Sequence, residues 1–239
     1  MSSDECMRCA DIQRMTIKTI NQFSISNNKR LANLKMLESI LKSIVDDHVL
    51  HAKWLNTLSY MENAGARKIS ASEHKENVNL IILKHAAEEH RHAYYLKKQI
   101  SKLGDDLCKT YTNAELLSPN QTKYYLHALD IAVCRYLKSE FSLSGYELKF
   151  AAYLFVTYAI EVRADELYPV YQTVLDEAKS KVNVKSIILE EEGHLEEMIN
   201  QLVGFSDNWE SHAAEVIKIE KALFDNWVGA LDEELVKVN

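Results

Sequence analysis

Six ionisable residues stand where a buried apolar side chain is expected. Glu62, Glu89, His92, Glu161, Glu191 and His194 each interrupt an apolar stripe of helical period. Burying a carboxylate without a partner costs several kcal/mol or forces it to take up a proton, so such positions require an explanation. Taken in order, the six form a pattern that occurs twice. Glu62 is followed after 27 residues by Glu89-x-x-His92, and Glu161 after 30 residues by Glu191-x-x-His194. Residues at i and i+3 share a helix face, so each Glu-x-x-His can grip one ion. A helix, a turn and an antiparallel helix bring residues of this separation back to one level, each leg being roughly 13 residues or ~20 Å. Four glutamates carry four negative charges and two neutral imidazoles none, which two divalent cations would balance. Oxygen and imidazole ligands together suit Fe, Mn or Zn rather than Mg or Ca.

Helices must position these groups, and the chain reads as helix almost throughout. A first segment, about Ala10 to Phe23, carries Ile12, Met15, Ile20 and Phe23 at helical spacing. A long helix is expected from roughly Leu31 to Gly65, with Leu37, Leu41, Ile44, His48, His51, Leu55, Leu58 and Glu62 inward. Ser70 and Glu73 have the spacing of a capping box for the next helix, which carries Val78, Ile82, His85, Glu89, His92, Leu96 and Leu103 and stops at Gly104. Residues 104–121 form the longest connection, and Pro119 suits the first turn of a helix with Tyr125, Leu129, Val133, Leu137 and Phe141 inward. After Gly145 a helix presents Phe150, Leu154, Tyr158, Glu161 and Asp165, and Pro169 is expected to kink or end it. A helix with Ile187, Glu191, His194, Met198 and Leu202 follows, then a last one over about Ser211 to Val236 with Val216, Leu223, Trp227 and Leu231 on one side. No period-2 strand pattern occurs. The expectation is a single all-α domain over 1–239, with a four-helix core over about 31–205 and a C-terminal helix over about 211–236.

The double Glu…Glu-x-x-His pattern over about Val45–Phe205 resembles the ferritin-like di-iron carboxylate superfamily, which includes ferritins, rubrerythrins, ribonucleotide reductase small subunits and several O2-activating oxygenases. The resemblance implies a ferritin-like four-helix bundle with additional helices. It implies Glu62, Glu89, His92, Glu161, Glu191 and His194 as metal ligands, with Glu89 and Glu191 bridging. It implies two metal ions, Fe/Fe or Mn/Fe. Several neighbours compete for a place. His85 lies one turn before Glu89 and reads either as an extra ligand or as a core histidine. Asp165 competes with Glu161 from one turn away. Glu88, Glu190 and Glu192 project about 100° from the ligands and read as solvated, whereas Tyr95 and Tyr158 lie a turn from ligands. His51 is 11 residues, hence ~16 Å, from Glu62, so His48 and His51 read as structural. Cys6-Met-Arg-Cys9 is a lone Cys-x-x-Cys, and Cys108 and Cys134 supply no second pair for a rubredoxin-type iron site.

Composition sets the outer bounds. With 239 residues, 47% of them hydrophobic and 26% charged, the chain has the balance of a folded domain rather than a disordered one. Only 6 Gly and 2 Pro leave too few turn residues for an all-β or α/β fold. A net charge of −7 argues against nucleic-acid binding. The polar start (MSSDECMRCADIQR) gives no signal peptide, no apolar run is long enough to span a bilayer, and four cysteines are too few for a disulfide framework. A cytoplasmic location is therefore expected. The expected function is an O2-activating di-iron oxidoreductase or oxygenase that acts on a small organic substrate and takes electrons from an external donor; a homodimer is compatible with it. Two other readings stand beside it: ferritin- or rubrerythrin-like iron oxidation, storage or peroxide detoxification, and a structural helical protein with incidental metal. His92 and Glu161 are 69 residues apart, enough for a whole extra helix, which favours the larger oxygenases over a compact storage subunit.

Overall fold

The computed structural model describes residues 34–238. The predicted helix over Ala10–Phe23 and the Cys6/Cys9 pair lie outside them. Residues 40–238 belong to one compact unit, and residues 34–39 fall outside it. Residues 34–39 are helical, and the architecture below is that of the compact unit. It is all-α, with no strand among the described residues. We label the helices α1 (34–46), α2 (His48–Ala71), α3 (Leu80–Ile100), α4 (Pro119–Phe141), α5 (Gly145–Glu177), α6 (Lys185–Phe205) and α7 (Trp209–Val238).

Helices α2 and α3 form one antiparallel pair, α5 and α6 another, and α4 and α7 pack on α5. Local chemistry explains the boundaries. Asp47 leaves the helical region (φ −112°, ψ 118°) and its carboxylate accepts hydrogen bonds from Val49 N (2.8 Å) and Leu50 N (2.9 Å). The expected long helix from Leu31 is thus two helices, and the second runs past Gly65 to Ala71. Consequently Ser70 is inside α2, and the cap of α3 is Asn79, whose Oδ1 accepts from Ile81 N (2.9 Å) and Ile82 N (3.3 Å). Helix α3 ends at Ile100, four residues before Gly104. Pro119 opens α4 as expected, and Glu234 of α7 accepts from both Ser118 N and Ser118 Oγ (2.6 and 3.0 Å). Gly145, the first residue of α5, has φ +59°, a conformation that favours glycine.

Pro169 does not end α5. The helix continues to Glu177, because Tyr168, Tyr171, Val174 and Leu175 are all buried and their packing outweighs the lost hydrogen bond. That continuation matters to the site, since Tyr168 lies in it.

Candidate metal centre

Each of the four central helices contributes to one buried cluster. Helix α3 supplies Glu89 and His92, α6 supplies Glu191 and His194, α2 supplies Glu62 and α5 supplies Glu161. All are buried except Glu62, which is half-buried. Ligand atoms of Glu89, Glu161, Glu191 and His194 lie within 4.8 Å of one another, and so do those of Glu62, Glu89 and His92. Glu89 belongs to both groups. Glu191 also reaches both imidazoles, with Oε1 3.1 Å from His92 Nδ1 and Oε2 3.5 Å from His194 Nδ1. The six residues singled out by spacing therefore converge, and the group can hold a metal ion.

A second layer of carboxylates fixes the imidazoles. His92 Nε2 donates to Glu190 Oε2 (2.9 Å) and His194 Nε2 to Glu88 Oε2 (2.8 Å). Each histidine is thus held by the helix opposite its own. Arg91 joins the two supports, its Nη2 2.6 Å from Glu190 and 3.7 Å from Glu88. Glu88 and Glu190 are therefore not the solvated residues that their projection suggests, because each meets the facing helix; Glu192 alone is exposed. With Nε2 as donor, each imidazole turns its Nδ1 toward the carboxylates. His92 Nδ1, His194 Nδ1 and Glu161 Oε2 are buried without a hydrogen-bond partner. Buried polar atoms are nearly always paired, so three orphans within one Glu/His cluster fit a set of metal donors.

In the bare protein, protons take the place of cations. Burial pushes the Glu89 and Glu161 carboxyls well above the usual range, and the neighbouring glutamates push them the same way. Burial also opposes charge on Glu191, but the close approach of Glu161, His194 and His92 holds it below its ordinary value. Burial would lower His92, yet the Glu191 carboxylate beside its Nδ1, the charge of Glu62 and the hydrogen bond to Glu190 raise it to about 9. His194 is raised in the same way, by Glu191 and Glu88 against its burial.

The competing residues fall elsewhere. His85 is buried and fully paired: Nε2 donates to Glu197 (3.1 Å) and Nδ1 accepts from Tyr153 (3.0 Å). His51 is hydrogen-bonded to Tyr171 (2.6 Å), away from the cluster, whereas His48 is exposed rather than inward. Asp165 is exposed, although it lies one turn from Glu161. Tyr95 donates to Asn183, and Tyr158 packs edge-on against Trp209, so neither meets the cluster. The tyrosine that does is Tyr168, whose hydroxyl donates to Glu62 Oε1. Its spacing of seven from Glu161, two turns on the same face, was the available signal, and Pro169 beside it masked that signal. Cys108 and Cys134 are free.

One wall of the cluster opens into a cavity of about 420 Å³ between α2, α4, α5 and α7. Glu62, Glu89 and Glu161 border it, with Tyr168 beside them, while most of its remaining lining is apolar. No helix among the described residues is long and apolar enough to cross a membrane. No protein-family model matches the chain, and no curated protein or solved structure matches it either.

Proposed function

We propose that the cluster holds two redox-active metal ions, Fe/Fe or Mn/Fe, in a ferritin-like bundle, and that the protein is an O2-activating oxidoreductase acting on a small organic substrate with electrons from an external donor. The observation that carries this reading is the cavity: an apolar space within the usual size range for ligand sites, walled on one side by three of the candidate ligands. A centre that oxidises an organic substrate needs such a space beside its metal site.

Glu62, Glu89, His92, Glu161, Glu191 and His194 would hold the ions, with Glu89 and Glu191 reaching both. Bound there, the pair would supply the one- and two-electron chemistry that amino-acid side chains lack. The chain's own contribution is positional and electrostatic. Glu190 and Glu88 keep His92 and His194 in the tautomer that presents Nδ1. Tyr168 holds the Glu62 carboxylate from the cavity side and fixes its orientation. Apolar walls exclude water from the space where a substrate would lie, which strengthens every charge interaction there.

Mixing the metal-free protein with excess Fe(II) and air, followed by stopped-flow absorbance, tests the reading. About two Fe(II) per chain should be oxidised in one phase, after which the reaction stops for want of reductant and substrate. Continued oxidation with growth of a ferric mineral would favour storage, and no oxidation at all would favour a structural or non-iron site.

A further inference from the structure

The cavity's charge layout restricts what it can take. Its polar groups are already committed at the inner end. Arg163 is bound by Glu220 through Nε (2.9 Å) and Nη2 (2.7 Å), and Tyr125 donates to the same carboxylate (2.5 Å). Tyr168 is held by Glu62 and Tyr153 by His85. Thr157 adds a hydroxyl one turn before Glu161, but no charged side chain other than the candidate ligands is left to meet a polar ligand there. A ligand group inside this space therefore has to be apolar.

Farther from the cluster the lining changes. Lys68 lies six residues beyond Glu62 on α2, about 9 Å along the axis, and its charge is spent on Asp130 (2.8 Å). Lys149 lies twelve residues before Glu161 on α5, about 18 Å away, and it is exposed. Because α2 and α5 run antiparallel, both lysines mark the same, outer end. Among the described residues Lys149 is the cavity's one lining cation without an ion pair. We infer that the cavity takes an amphipathic carboxylate: an apolar body reaching toward Glu62 and Glu161, with its carboxylate outward at Lys149. The inference rests on the cluster being the reactive centre, since that is what makes the inner end the working end.

Gly65 offers a control. It borders the cavity one turn from Glu62, and a Cβ added there meets nothing within 4 Å, so a larger side chain has room to grow into the space. The probes are straight-chain carboxylates from octanoate to hexadecanoate and the primary alcohols of the same lengths. Their binding to the metal-loaded protein is measured by calorimetry, with metal content measured on the same samples. Carboxylates should bind about fivefold tighter than the matched alcohols, and Lys149→Gln should abolish that preference while leaving alcohol binding unchanged. Gly65→Leu should weaken both by more than about tenfold with metal content intact. Equal binding of acids and alcohols, a preference that survives Lys149→Gln, or binding insensitive to Gly65→Leu would overturn the inference. Failure of the reactive-centre reading looks different: carboxylates would bind with this pattern to a protein that holds no metal.

Discussion

At the level of single residues, the unexpected actors are Glu88 and Glu190. Carboxylates that hold a metal-bound imidazole typically change metal affinity by about 10- to 100-fold when lost. Glu88→Gln and Glu190→Gln should each weaken metal binding by such a factor in competition with a chelator, whereas Glu192→Gln should leave it unchanged. Glu191→Ala, which removes a donor that reaches both histidines, should lower the metal content itself. Equal behaviour of Glu190 and Glu192 variants would show that the cross-helix contacts do not tune the site. The convergence of the six residues was legible from spacing, because i, i+3 pairs and hairpin separations are properties of one chain segment. The supports were not. Helical projection says that Glu190 points away from Glu191, but only packing decides that α3 lies there to receive it. Tyr168 escaped for a related reason, as its neighbour Pro169 reads locally as a helix end.

At the level of elements, several boundaries differ from the sequence reading, and two of them bear on the site. The helical period can be read through residues 41–58 with His48 and His51 at its middle, so periodicity alone gave no sign of the break at Asp47, where the side chain caps the following helix and leaves His48 exposed. Pro169 was overridden by buried residues on both sides of it. The joint between α2 and the far end of α5 that results contains His51, hydrogen-bonded to Tyr171, whose ring meets both His51 and Trp54 edge-on. Burial, with some help from His48, depresses the His51 imidazole from 6.5 to about 4. A histidine depressed in the folded state binds its proton more readily once unfolded, so folding is fully favoured above pH 6.5 and loses stability as pH falls toward 4. The interval corresponds to about 3 kcal/mol. Denaturant unfolding of the metal-free protein across this range should show that slope, and His51→Gln should reduce it. An unchanged slope in the variant would place the acid sensitivity elsewhere.

For the whole molecule, a metal held by the cluster would couple its binding to folding. Four carboxylates converge in the core, and in the bare protein Glu89 and Glu161 retain protons against their ordinary ionisation while His92 carries one up to about pH 9. Divalent ions would displace those protons, so binding should release protons into a weakly buffered solution and tighten as pH rises toward 9. A ligand that binds the native state alone also stabilises it, so metal should raise the melting temperature and chelation reverse the gain. Thermal scans with and without Fe(II) or Mn(II) check this. The all-α class was legible from composition and period, and the apolar cavity was not, because it arises where α4 and α7 stop short of filling the space beside α2 and α5. The most direct measurement is metal content by elemental analysis, joined to anomalous scattering from crystals of the metal-loaded protein. The account predicts about two ions per chain, both among Glu62, Glu89, His92, Glu161, Glu191 and His194, and their loss in Glu191→Ala. A protein that purifies and reconstitutes without metal, or that holds its ions away from these six residues, would contradict it.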